Sequence, residues 1–219
     1  MQTTELSRLG NIGASVLSDV MDSLGLARRA MSPFMRPLLD AQVLVGRART
    51  GLYMPAYGVR DGENPYEVEI ELVDDLQAMD VVVLACNGPT DRIAPWGELL
   101  STAAQARGAA GCVTDGLVRD VRQIREMRFA VFHGGIGPLD TKGRARMVER
   151  DVRVECAGVS IESGDIVFGD LDGVVVIPRA HEDEVLHKAM HKVSGENHTR
   201  EALRGGETLA KVFKRFGIL

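Results

Sequence analysis

Aromatic residues are scarce: one Trp, three Tyr and six Phe in 219 residues, or 5%. Stacking platforms for nucleic-acid bases are built from such side chains, so this class of binding is disfavoured. Positive charge is also in the minority. Lys and Arg number 26 against 31 Asp and Glu, for a net charge of -5, which makes a poor general binder of nucleic acid. Long apolar runs are missing. Val81 to Cys86 and Val174 to Ile177 are strand-sized, far below the ~20 residues of a membrane-spanning helix. The N-terminus, MQTTELSRLG, has no basic region leading into an apolar stretch, so no secretory signal is visible. Cysteine is sparse and odd in number. Cys86, Cys112 and Cys156 each sit among apolar residues and read as reduced core thiols of a cytoplasmic protein.

What remains is an ordinary globular composition, 45% hydrophobic and 26% charged. No repeat or Pro/Gly/Ser-rich linker divides the chain, so residues 1–219 read as one domain, with 180–219 as a C-terminal helical extension. Apolar spacing predicts helices over 13–24, 64–79, 98–107 and 118–127. Strands are predicted over 43–53, 81–86, the GCVTDG segment ending at Asp115, and 129–132. The alternation of strand and helix from 81 to 132 implies a partly parallel sheet in an α/β fold. Residues 152–177 read as further strands, with turns at Ser163-Gly164-Asp165 and Asp172-Gly173. Helix resumes from Ala180 to about Leu203, and the tail TLAKVFKRFGIL is amphipathic.

Some motif-like signals have plainer readings. His187 and His191 share a helix face, but Lys188 stands where a zinc-protease helix needs Glu, so a solvated face is expected. Gly134, Gly135 and Gly137 lack the third glycine of a dinucleotide fingerprint and read as a loop. Asp170, Asp172 and Gly173 read as a hairpin turn rather than a calcium loop. The basic run from Lys142 to Arg153 reads as solvated surface.

The chemistry-bearing stretch is W-G-E-L-L (96–100), followed after a helix by D-G-L-V-R-D (115–120). Gly97 to Leu100 should open a helix, whose unpaired N–H groups make a carboxylate site, with Glu98 in the first turn. Arg119 and Asp120 fall where a strand gives way to a helix, the place open α/β sheets put ligands. Asp120 could hold a hard divalent cation, and Arg119 could hold a carbonyl or enolate oxygen in its planar fork. A capping Asp beside a surface Arg would give the same spelling.

The run GELLSTAAQARGAAGCVTDGLVRDVRQIREMRFAVF, with GVSIESGDIVFGDLDGVVVIPRA and the tail, resembles the class II pyruvate aldolases typified by 4-hydroxy-4-methyl-2-oxoglutarate aldolase. The same superfamily includes the regulator of ribonuclease activity A (RraA). A methyltransferase name carried by many members is discounted, because no methyl-donor glycine motif is present. The resemblance implies a layered α-β-β-α sandwich with a swivelling-type β core. It implies Mg2+ or Mn2+ held by Asp120, a substrate carboxylate bound by the backbone of Gly97, Glu98, Leu99 and Leu100, and Arg119 on the keto oxygen. Glu98 stands where the aldolases usually have Asp. Glu196, from the C-terminal helix of a neighbouring copy, would complete the site with Glu98 by activating water. The assembly implied is a trimer or pair of trimers, with the extension packed on a neighbour. The activity implied is aldol cleavage or β-decarboxylation of a 2-oxo acid through a pyruvate enolate. The alternative is a non-catalytic regulator of ribonucleases acting by protein binding. The segment P-L-D-T-K-G-R (138–144) has no role assigned by either reading.

Overall fold

A computed structural model describes residues 9–87 and 91–218. The N-terminal stretch read as lacking a leader, up to residue 8, and residues 88–90 of the loop before Gly97 lie outside them. Among the described residues no helix is long and apolar enough to cross a membrane.

The first helix, α1 (Ala14–Ser23), is followed by a two-residue strand β1 (Arg36–Pro37) and the long β2 (Leu44–Pro55). Then come α2 (Glu67–Asp74), β3 (Asp80–Ala85), α3 (Glu98–Ala106), β4 (Gly111–Val118), α4 (Val121–Met127) and β5 (Ala130–Ile136). Five strands follow: β6 (Ala145–Arg150), β7 (Val154–Cys156), β8 (Val159–Ile161), β9 (Ile166–Asp170) and β10 (Gly173–Ile177). The chain ends with α5 (Glu182–Arg204) and α6 (Leu209–Phe216).

Eight strands form one sheet in the order β1-β5-β4-β3-β2-β9-β10, with β6 also on β2. The β3–β4 and β4–β5 pairs are parallel, as the strand-helix alternation from 81 to 132 predicts, and β2–β3 is parallel as well. The other edge of β2 serves two antiparallel partners, β9 along Leu44–Arg47 and β6 along Gly51–Pro55. The segment from residue 29 to 37 nearly closes the sheet. Met31 N–H donates to Val174 O (2.8 Å) on β10, while Arg36 pairs with His133 on β5. Near-closure covers edges that would otherwise present unpaired backbone groups.

β3 shows why the fold is layered. All six of its residues are buried, as expected of a parallel strand covered on both faces. Val81, Val83 and Ala85 face an interior filled by Val154, Cys156, Val159 and Ile161 of the β7–β8 hairpin. Val82 and Leu84 face outward, under α2, α3 and α4. On the opposite side, α1 and α5 cover Val45, Ile166, Phe168, Val175 and Ile177. The result is a flattened, nearly closed β core with helices on both faces, an α/β fold. The extension packs on its own chain: α5 lies on α1, and α6 folds back so that Ile218 meets Gly195.

Several expectations change. The helix expected over 64–79 shrinks to α2. It ends in Asp74 with no basic residue in its last turn, and Met79 takes a left-handed φ of 68°. The strand expected to stop at Asp115 runs on to Val118, leaving Asp115 fully buried inside it. Gly134 and Gly135 belong to β5 rather than a loop. Ala145–Arg150, inside the basic run, is a strand that buries Ala145 and Met147 and exposes Arg146, Val148 and Glu149.

Candidate active site

The end of β4 is extended by a neighbour. Trp96 bridges to Val118 in parallel, and Arg119 N–H donates to Trp96 O (3.0 Å), so residues 93–97 run beside the strand end. Gly97 is thereby set at the start of α3, directly against Arg119 and Asp120. The single Trp anchors this start. Its indole N–H donates to Ser101 Oγ (2.8 Å), the Ser101 hydroxyl donates to Gly97 O (2.9 Å), and the ring stacks on Phe129 at 6.2 Å between centroids. Helix geometry leaves the Leu99 and Leu100 N–H groups without intrahelical acceptors.

Asp120 begins α4 in the left-handed region, φ 56° and ψ 34°. Asp tolerates that region better than most residues, and such backbone strain clusters at functional sites. Its carboxylate does not cap its own helix. Instead Oδ2 accepts from Glu98 N–H at 3.2 Å, across the gap to α3. This separates it from the plain capping Asp that the sequence also allowed.

Gly97 is required by close approach. A Cβ there would lie 2.7 Å from Asp120 Oδ2 and 3.3 Å from Arg119 Nε. The missing side chain lets a carboxylate and a guanidinium N–H close together over the Gly97 backbone, a tight cradle with no room for a Cβ. Arg119 Nε is buried and has no hydrogen-bond partner, while its Nη2 lies 3.3 Å from Asp140 Oδ1. An unmet buried donor costs free energy unless a ligand meets it.

Gly97, Arg119 and Asp120 line a cavity of about 290 Å³. Ala94, Pro95, Leu99 and Leu100 form an apolar wall, and Tyr66, Glu69, Asp140 and Thr141 a polar one. The Tyr66 hydroxyl donates to Asp140 Oδ2 at 2.5 Å. Burial disfavours the ionised Asp140, but the bonds from Tyr66 and from the Thr141 and Lys142 N–H groups, with the charge of Arg119, outweigh it. The carboxyl is held below its usual range. Tyr66 is pushed up to about 12 by burial and by Asp140. Glu69 is raised to about 7, mainly by burial, against the bond it accepts from the Tyr53 hydroxyl.

The structure thus brings Gly97, Leu99, Leu100, Arg119 and Asp120 to one cavity. Glu98 is adjacent, but its carboxylate accepts from the Thr102 hydroxyl (2.8 Å) and does not line the cavity. Glu196 lies on α5 and pairs with Arg200 at 3.7 Å, outside the cavity of its own chain. His187 and His191 are exposed on the same helix. Among the described residues no three His, Cys, Asp or Glu side chains gather as a metal cluster. Of the predicted residues that line the cavity, Asp120 carries the one carboxylate, an oxygen donor of the kind hard divalent cations take.

Sequence reasoning missed Tyr66, Glu69, Asp140 and Thr141. Glu69 had left a signal: it stands three, four and seven residues before Leu72, Val73 and Leu76, at the head of an apolar stripe.

A family model described as RraA-like (Aldolase/RraA) matches residues 14–176, well over half the chain. The chain belongs to the RraA-like family. Protein DlpA of Legionella pneumophila is 30% identical over 204 residues, 93% of this RraA-like chain, which spans only 32% of DlpA. A Halalkalibacterium halodurans protein named "Putative 4-hydroxy-4-methyl-2-oxoglutarate aldolase" is 29% identical over 90% of this chain and 88% of its own. Among solved structures, Streptomyces coelicolor RraAS2 superposes with a TM-score of 0.80 over 91% of this chain and 97% of its own. It is described as an unusual member of the RNase ES inhibitor RraA protein family and is 24% identical, a likeness of fold.

Proposed function

We propose that this chain is a divalent-metal-dependent carbon–carbon lyase that cleaves a 2-oxo acid to pyruvate. The observation that carries the reading is the cavity lined by Gly97, Arg119 and Asp120, where the Asp120 carboxylate and an Arg119 Nε without a hydrogen-bond partner both close on the helix start. The aldolase names of relatives supply the reaction class.

Asp120 would hold Mg2+ or Mn2+, and the bound cation would supply Lewis-acid stabilisation to the substrate's keto oxygen. The start of α3 receives the substrate carboxylate through the N–H groups of Leu99 and Leu100. Arg119 Nε donates to the keto oxygen and meets the negative charge that grows on it. In aldol cleavage a base removes the C4 hydroxyl proton, the C3–C4 bond breaks, C4 leaves as a carbonyl and the electron pair enters the pyruvate enolate. Protonation at C3 then gives pyruvate. Loss of CO2 from oxaloacetate reaches the same enolate, so both reactions belong to one site. Glu98 joins the base chemistry once it releases Thr102, together with Glu196 of a second copy of the chain. The site is then completed at a subunit boundary, in a trimer or a pair of trimers.

The test is pyruvate release from 4-hydroxy-4-methyl-2-oxoglutarate and oxaloacetate, with Mg2+ or Mn2+ and with chelator. The reading expects activity that chelation abolishes. Absence of release from every 2-oxo acid, together with capture of a ribonuclease, would favour a non-catalytic regulator instead.

A further inference from the structure

We propose that Asp140, held by Tyr66, is a positioning residue that keeps Arg119 off Asp120 and turns its Nε to the cradle. The inference rests on the lyase reading and gives a role to the segment 138–144.

Arg119 lies between two carboxylates. Its Nη2 is 3.3 Å from Asp140 Oδ1, and its Nε is 3.9 Å from Asp120 Oδ2. The first is a close ion pair and the second a looser one, beyond hydrogen-bonding distance. A guanidinium and a carboxylate form a two-bond fork readily when geometry permits. If Arg119 closed that fork on Asp120, the carboxylate would be neutralised and its lone pairs occupied. It would then be a poor cation ligand, and Nε would no longer be free for a substrate oxygen. Asp140 prevents this by holding the far end of the same guanidinium.

Asp140 is itself fixed from several directions. The Tyr66 hydroxyl bonds Oδ2 at 2.5 Å, and Thr141 N–H bonds Oδ1 at 2.9 Å. The surrounding segment is tied across the cavity wall, because Ala94 N–H donates to Leu139 O (2.7 Å) and Arg144 Nη1 to Asp140 O (3.1 Å). Tyr66 immediately precedes α2, so a helix on one side of the cavity sets a carboxylate on the other. Asp140 lines the same cavity, and the role proposed for it is exercised through Arg119.

The experiment compares wild type, Asp140→Asn, Tyr66→Phe, Arg119→Gln and the Asp140→Asn/Arg119→Gln double variant. The first readout needs no metal: the 15N-edited signal of the Arg119 Nε–H, assigned by its loss in Arg119→Gln. It should shift in Asp140→Asn, and less so in Tyr66→Phe, as the guanidinium moves to Asp120. The second is Mn2+ affinity by titration calorimetry, expected to weaken about tenfold in Asp140→Asn but not further when Arg119 is already Gln. With kcat falling about tenfold or more and KM changing little, this pattern separates positioning from general damage. An unmoved Nε–H signal in Asp140→Asn overturns the proposal. So does an equal loss of Mn2+ affinity with and without Arg119. A wild type that binds no Mn2+ and releases no pyruvate overturns the lyase reading instead, and the Nε–H signal still decides whether Asp140 holds Arg119.

Discussion

A methyl group at position 97 would lie 2.7 Å from Asp120 Oδ2 and push into the Arg119 side chain. Gly97→Ala should therefore cost about a hundredfold in kcat/KM while the fold survives, because the backbone there is extended, φ -151°, and suits any residue. Steady-state pyruvate release beside a urea melt checks both halves. Glu69 makes a different prediction. Burial raises its pKa from 4.5 to about 7, so the folded protein keeps a proton that the unfolded chain releases. The stability linked to this group is complete below about 4.5 and is lost as pH rises through about 7. Glu69→Gln keeps an acceptor for Tyr53 without that charge. Its stability relative to wild type should rise between pH 5 and pH 8 by on the order of 2–3 kcal/mol, as chemical denaturation at each pH would report.

At the scale of elements, the site depends on how α3 is hung beside β4. Trp96 ties the two by its backbone bridge, its indole bond to Ser101 and its stack on Phe129. Trp96→Phe removes the indole bond and leaves Ser101 short of a donor. It should lower stability by about 1–2 kcal/mol and activity by more than that loss explains, measured by circular dichroism and pyruvate release. The same elements show what could be read beforehand. The strand VVVLA and the helix opening at Glu98 were legible because β-branched runs and apolar periodicity follow local rules. Strand β6 was not, because Arg146, Glu149 and Arg150 give ARMVER the look of a charged surface run, and only the buried Ala145 and Met147 betray the period. Gly97, Arg119 and Asp120 were legible as a motif. Asp140 was not, since its importance arises from a contact 21 residues from Arg119 in sequence that no local pattern encodes.

The whole molecule carries a net charge of -5, yet the proposed substrate is an anion. Binding must then come from local features: a helix start, one guanidinium and one cation. α6 folds back on α5 while leaving Leu209 and Phe213 about half exposed. If Glu196 of one copy completes the site of another, two separately inactive variants should rescue each other. Mixed after dissociation and reassembly, Asp120→Ala and Glu196→Ala chains should regain about a quarter of wild-type turnover, the share of sites that draw both intact residues from different chains. Turnover no greater than the sum of the two variants would place Glu196 outside the mechanism.

Asp120 and Arg119 over Gly97 are proposed to form a cation-assisted site for 2-oxo acid cleavage. The most direct test is the rate of pyruvate formation from 4-hydroxy-4-methyl-2-oxoglutarate and oxaloacetate by wild type and Asp120→Ala, each with Mg2+, with Mn2+ and after chelation. Wild-type turnover should be removed by chelation and restored by either metal, and Asp120→Ala should show none above background under any condition. Turnover that survives chelation, or persists undiminished in Asp120→Ala, would contradict the proposal.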